Sequence, residues 1–376
     1  MQTNAMIRTK QDLSKIIDQA RSSDAVALDT EFIWEKTFYP RLGVIQIALS
    51  DEKCYLIDPI AISDLSSLGT LLADKNVTKI LHDAPQDLTI LSRVTNALPH
   101  NIFDTRIAAG FAGLSATISL ASLITELLDI DLAKTQTRTN WLHRPLTQEQ
   151  KKYAMDDVRY LRAARLLLLT RIISPKIRSW LKEELGMFNA PSFSSPPDDY
   201  VRYKKIRGSG HLDRVHLSEL RELAAWRERK AKERDRPRGH ILSDKALLAI
   251  VHQEFSSADE LHQHGLINAK KATLFGNEII EAIQTGRAVK EADLPSPVEH
   301  IRLNTKEKQA YKKLIDFIKR KSNAQGIDPQ LIATSSELKR LIKHNHAPDT
   351  PLPPRLAGGW RRRFLEECFT DIHQPA

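Results

Sequence analysis

The sequence predicts a mixed α/β domain followed by two all-α helical bundles, and three observations carry that expectation. Short apolar or β-branched runs that read as strands, over 25–31, 43–49, 54–59 and 77–81, all fall in the first hundred residues. Helical spacing of apolar residues alternates with them, and beyond residue 200 it is the only pattern left. Two proline-rich breaks, Pro191 to Tyr200 and Leu294-Pro295-Ser296-Pro297, divide a chain of 376 residues, a length suited to two or three cores. The expected layout is a domain over 1–190, a linker over 191–210, a helical domain over 211–291, a linker over 292–298 and a second helical domain over 299–376. The two helical modules are similar in size, which suggests tandem copies of one fold.

Composition excludes several classes. The chain is 41% hydrophobic and 27% charged, ordinary for a globular protein. No run of 18 apolar residues offers a membrane span, and Met1-Gln2-Thr3-Asn4-Ala5 has none of the features of a secretory signal. The two cysteines, Cys54 and Cys368, lie far apart and outside any CxxC spacing. That argues against a disulfide framework or a zinc site and points to a reducing compartment, the cytoplasm by default. The net charge of +9 is unevenly placed: residues 1–200 hold 23 Lys+Arg and 24 Asp+Glu, residues 201–376 hold 33 and 23. A basic half joined to an acid-rich half suggests a polyanion held by one and processed by the other, with a solvated basic helix surface as the plain alternative. No segment reads as a dimer seam, so a monomer is expected.

Leu13, Ile16, Ile17 and Ala20 place a helix over 9–21. The run Ala25-Val26-Ala27-Leu28 then forms a buried strand that ends in Asp29-Thr30-Glu31. Side chains alternate faces along a strand, so Asp29 and Glu31 point the same way. Two carboxylates on one face repel each other and resist desolvation unless something positive sits between them. A divalent cation is the simplest solution, and an all-oxygen site suits magnesium or manganese. A strand end with two solvated acids is the alternative. Gly43 to Leu49 and Cys54 to Pro59 follow with short connections, as in an antiparallel meander. A helix over 64–74 and a strand over Val77 to Leu81 come next.

His82-Asp83-Ala84-Pro85-Gln86-Asp87 opens a helix. Asp83 and Gln86 have capping-box spacing, and Pro85 fits only the first turn. Asp83 is therefore expected to be a cap, and Asp87, taken alone, an acid favoured by the helix N-terminus. Asp104 is expected to cap the next helix, with helix, break and helix over 105–130. Residues 135–144 are polar and aperiodic, as in a loop over a site. Thr147, with Gln150 three residues on, starts a helix running to about Thr170. On it Tyr153 and Asp157 share a face, while Asp156 points about a hundred degrees away. Leu161 follows on that face, so no i,i+4 ion pair accounts for Asp157. Past the first linker, helices are expected over 217–234, 245–255, from Ser257, and over 269–285. The last module has helices near 305–324 and 336–345 and one starting near Gly359.

An Asp-x-Glu on a first strand, an Asp in the first turn of a later helix and a Tyr-x-x-x-Asp on a late helix, in that order, resemble the DEDD superfamily of 3′→5′ exonucleases. The tyrosine selects one subclass. Leu28-Asp29-Thr30-Glu31-Phe32, Tyr39 to Gln46, His82 to Leu88, Phe103-Asp104-Thr105, Arg138 to Leu146 and Tyr153 to Val158 resemble the ribonuclease D family in particular. Leu223-Ala224-Ala225-Trp226-Arg227-Glu228 with Arg236-Pro237 resembles the HRDC helical module of that family, and the segment with Gly359-Trp360-Arg361 a divergent second copy.

The resemblance implies a ribonuclease-H-like (DnaQ-like) exonuclease domain with a mixed sheet. It assigns four metal-binding acids to Asp29, Glu31, Asp87 and Asp157, and the subclass tyrosine to Tyr153. It further implies two divalent metal ions, Mg²⁺ or Mn²⁺, and hydrolysis of RNA from a single-stranded 3′ end to nucleoside 5′-monophosphates. Tyr153 would aim the attacking water, and tRNA precursors and other small structured RNAs would be the substrates. Asn140 departs from the pattern, since relatives usually carry an acid before the Trp. His82 and Gln46 also match family positions. Two other readings stay open: a DNA-directed 3′→5′ exonuclease using the same acids, and an inactive nuclease fold serving as an RNA-binding scaffold.

Overall fold

The computed structural model describes residues 6–133, 139–194, 198–296, 301–346 and 350–372. They form two compact units: Met1–Ile33, Leu42–Ser195 and Ile301–Ala376 make the first, Trp34–Arg41 and Pro196–His300 the second.

The sheet uses β1 (Met6–Ile7), β2 (Ala25–Ile33), β3 (Arg41–Ala48), β4 (Cys54–Ile57), β5 (Thr78–Leu81) and β6 (Ile102–Asp104), in the order β1-β4-β3-β2-β5-β6. It is mixed: β1 with β4, β2 with β5 and β5 with β6 run parallel, whereas β3 and β4 are antiparallel. Interleaved with the strands are α1 (Lys10–Arg21), α2 (Ser66–Leu72), α3 (Pro85–Thr95), α4 (Thr105–Phe111) and α5 (Leu120–Leu128). Then come α6 (Gln148–Arg159), α7 (Leu161–Arg171), α8 (Pro175–Leu185) and the short α9 (Pro191–Ser194). The four strands read from the sequence are all present. β1 and β6, at two and three residues, are too short to leave a pattern.

Strand β2 is apolar without alternation because both of its faces are covered. Ala25 and Ala27 join Ala154, Val158 and Leu161 on one side, and Val26 and Leu28 join Leu13, Ile17, Leu68 and Leu88 on the other. Its pairing with β5 runs from Ala25↔Thr78 to Ala27↔Ile80, so Asp29 lies past the last paired residue. The carboxyl ends of two parallel strands are where open α/β sheets place their ligands.

Three local expectations are corrected. The helix read from Thr147 to Thr170 is broken at Tyr160, which lets α6 pack on β2 and β4 while α7 packs on β2 and β5. The Asp83–Gln86 capping box does not form. Asp83 sits at φ +63°, its carboxylate pairs with Arg106, and α3 begins without a side-chain cap. The competing partner is the buried Asp104. It accepts the N–H groups of Asp83 and Ala84 at 3.2 and 2.9 Å, and it caps α4 through Arg106 and Ile107 as expected. The third is the stretch read as a linker over 191–210. From Asp199 to Lys205 it is a 3₁₀ helix whose Tyr203, with Ile206, is buried in the helical core.

The second unit is built from α10 (Arg214–Glu233), α11 (Arg238–Ile241), α12 (Asp244–Val251), α13 (Ala258–Gln263) and α14 (Ala269–Arg287). Helices α10 and α14 cross closely at Gly286, where a Cβ would lie 2.5 Å from the Glu219 Cα. The chain ends with α15 (Thr305–Gln325), α16 (Ser335–His346), α17 (Pro354–Ala357) and α18 (Gly359–Ile372). These last helices were expected as a module of their own over 299–376, and they share the core of the first unit. Trp360 stacks on Trp180 with centroids 5.4 Å apart, Arg361 is bidentate to Glu184 at 2.6 Å, and Asp328 accepts the Ala116 N–H at 2.6 Å. So small a module leaves apolar faces that α4 and α8 complete. Among the described residues, no helix is long and apolar enough to cross a membrane.

Candidate active site

Strand alternation puts Asp29 and Glu31 on the face of β2 that α6 covers, and helical spacing puts Tyr153 and Asp157 one turn apart on α6. The fold brings these together: carboxylate oxygens of Asp29, Glu31 and Asp157 lie within 4.8 Å of one another. Asp87 is not one of that trio. It is buried in the first turn of α3, and Thr30, on the opposite face of β2, donates a hydrogen bond to it. Its charge is nonetheless felt by all three. The Tyr153 hydroxyl donates to Asp157, and its ring lies 6.1 Å from that of Trp141. Asp156 is turned away as expected, pairing with Lys152 at 2.6 Å and Arg159 at 3.4 Å.

The electrostatics show an uncompensated cluster. Burial, then the charges of Asp87, Asp157 and Glu31, hold Asp29 well above the usual carboxylate range. Burial with Asp157 and Asp87 pushes Glu31 to about 8. Burial raises Asp157 to about 7 in spite of the Tyr153 hydrogen bond, and Asp87 to about 6 in spite of Thr30. Such acids prefer a proton or a cation in the fold. In metal-free protein, folded pKa values above the unfolded ones give stability that is full at acid pH and lost as pH rises through about 6, 7 and 8. Added Mg²⁺ is therefore expected to raise the melting temperature strongly at pH 8.5 and little at pH 5. Thermal melts in EDTA and in Mg²⁺ at both pH values check this, and an equal gain at both would contradict it.

Residues 4–173 match a family model described as 3′-5′ exonuclease, and residues 216–283 match the HRDC domain. Ribonuclease D of Desulfotalea psychrophila is 50% identical over 374 residues, 100% of this chain and 99% of its own length. The chain belongs to the ribonuclease D family. Ribonuclease D of Pseudomonas paraeruginosa is 33% identical over 98% of this chain and 97% of its own. The crystal structure of Escherichia coli RNase D, described as an exoribonuclease involved in structured RNA processing, superposes with a TM-score of 0.85. It is 29% identical and the match covers 98% of both chains. A ribonuclease D is a 3′→5′ exoribonuclease, a hydrolase of phosphodiester bonds, and the ribonuclease-H-like domain with its helical HRDC region is the fold expected from the sequence.

In this ribonuclease D family member, one support of the site was missed from sequence. Asp58, 1% exposed, receives Arg144 Nε at 3.0 Å and Nη2 at 2.8 Å. The same guanidinium donates to the carbonyls of Gly43 and Trp141 at 2.6 and 2.9 Å. This clasp seats Trp141 against β3 so closely that a Cβ on Gly43 would lie 2.7 Å from the Trp141 Cβ. Trp141 in turn backs Tyr153. The loop expected over 135–144 lies partly outside the described residues, from 135 to 138. Asn140 accepts the Leu142 N–H, a turn contact. His82 is half-buried; desolvation pushes it down to about 4, hence neutral, and it bridges Thr105 and the Ile118 carbonyl. Gln46 is fully buried, with no partner for its amide among the described residues.

Proposed function

We propose that this chain removes nucleotides one at a time from the single-stranded 3′ end of RNA, releasing nucleoside 5′-monophosphates, with Asp29, Glu31, Asp87 and Asp157 as metal ligands. The observation that carries this reading is the convergence of three carboxylates within 4.8 Å, with the charge of Asp87 acting on them, in a chain of the ribonuclease D family. The donor set fits two hard divalent cations, Mg²⁺ or Mn²⁺: it is all oxygen, all anionic, and the charges acting on Asp29 are those of other acids. Such ions, when bound, supply Lewis-acid stabilisation of the phosphoryl and leaving-group charge and ease deprotonation of water.

The protein's own groups do the rest. Burial and the surrounding carboxylates push the Tyr153 hydroxyl up, so it stays a donor at neutral pH and, held by Asp157, orients the attacking water. Water adds to phosphorus as the 3′ oxygen departs. Tyr153→Phe is expected to lower kcat about a hundredfold through misplacement of that water, with metal affinity little changed. Single-turnover kinetics beside a Mn²⁺ titration check the pair of outcomes.

Precursors of tRNA and other small structured RNAs are the substrates this reading favours, acted on by a monomer in the cytoplasm, with the basic helical unit holding the RNA body. The test is Mg²⁺-dependent release of mononucleotides from a 3′-tailed RNA, with a DNA oligomer of the same sequence alongside. Preferential release from RNA supports the reading; release from DNA alone, or from neither, overturns it.

A further inference from the structure

Two recesses open side by side in the second unit, both lined by Gly239 and Ser243, the first reaching α10 and the second α13 and the start of α14. The first, of ≈ 400 Å³, carries four cations: Arg202, Lys205, Arg227 and Arg238. The second, of ≈ 390 Å³, is lined by the apolar Leu242, Ala246, Leu266 and Ile267 and by the polar His262, Asn268 and Lys271.

The first recess has more positive than negative charge. Glu228 is shared by Arg238, at 2.5 Å from both Nε and Nη2, and by Arg202 at 3.7 Å. Asp244 takes one Arg227 nitrogen at 2.6 Å. Two carboxylates thus face four cations. Arg227 is only 5% exposed, and its Nε has no hydrogen-bond partner among the described residues. That nitrogen is itself enclosed, and Nη1 is held by the Leu242 carbonyl and Asp244 at 2.9 and 2.6 Å, so the guanidinium is a fixed positive charge in the recess wall. The backbone is also open there, since a Cβ added to Gly239 would meet nothing within 4 Å.

We infer that the paired recesses bind one nucleotide of a single-stranded RNA, its phosphate among the four cations and its base against the apolar residues. A phosphodiester offers one negative charge and two free oxygens, which suit forked guanidinium donors. A base has an apolar face that an aliphatic wall can cover, and phosphate plus base in adjoining spaces is what a nucleotide chain presents. The inference rests on the exoribonuclease reading and gives the basic half of the chain a defined contact with RNA.

The experiment is fluorescence anisotropy of a short labelled single-stranded RNA on the full chain in EDTA, across a range of salt. Gly239→Glu, which puts a carboxylate into open space, and Lys205→Glu are each expected to weaken binding about tenfold or more. They should also flatten the slope of log affinity on log salt by about 0.7, the share of one single-strand phosphate. Lys290→Glu, in the same unit but outside both recesses, makes the same charge change as Lys205→Glu and should cost less than about threefold. Equal losses in Lys205→Glu and Lys290→Glu, or wild-type binding by Gly239→Glu, would overturn the inference. Mononucleotide release by the wild-type protein in Mg²⁺, run in parallel, judges the exoribonuclease reading separately.

Discussion

Asp29→Asn is expected to lower turnover on a 3′-tailed RNA at least about a hundredfold, the scale of losing one electrostatic stabiliser. The exchange keeps shape and removes one charge from four. Asp29 is the member on which burial and the other three acids all act, so its loss reduces the cluster's capacity for a cation more than volume alone would suggest. The same change should stabilise the metal-free protein at pH 8, because one repelling carboxylate is gone. Activity and metal-free stability therefore move in opposite directions, which a damaged fold would not produce. Turnover near wild type in the folded variant would refute the role given to Asp29.

Arg144→Ala is expected to cost about 3 kcal/mol or more of stability, because it strands a buried carboxylate. Burial would raise Asp58, and the Arg144 hydrogen bonds and charge hold it below the usual carboxylate range. With Arg144 gone, Asp58 keeps the N–H of Ile60 at 3.1 Å and a distant Arg8 at 3.6 Å, too little to replace a bidentate partner. The carbonyls of Gly43 and Trp141 lose their donor as well. Trp141 and then Tyr153 should loosen, so kcat falls along with stability. Urea unfolding of the wild type, Arg144→Ala and the double variant Arg144→Ala/Asp58→Asn separates the terms: the double variant should recover part of the loss, and a neutral single variant would contradict the clasp.

What was legible in the sequence was local and periodic. A period of two exposed Asp29 and Glu31 as a same-face pair, and a spacing of four did the same for Tyr153 and Asp157. The capping box at Thr147 and Gln150 formed, each side chain accepting the other's backbone N–H. The box at Asp83 failed because Asp104, 21 residues on, takes the backbone donors first. Asp87 gave no periodic sign of its own; an acid in a first turn looks the same whether or not a partner such as Thr30 reaches it across a sheet. The Arg144–Asp58 clasp spans 86 residues, and the Trp180–Trp360 stack joins two helices about half a chain apart, so neither leaves a trace in spacing. Resemblance to a family supplied the order of the acids, and their meeting depends on long-range packing.

The central claim is that these acids act together as ligands, and metal stoichiometry tests it most directly. Titration of the protein with Mn²⁺, followed by calorimetry or by the electron paramagnetic resonance of free Mn²⁺, should give two ions per wild-type chain and at most one for Asp157→Asn at pH 8. No binding by the wild type, or the same stoichiometry and affinity in the variant, would contradict it.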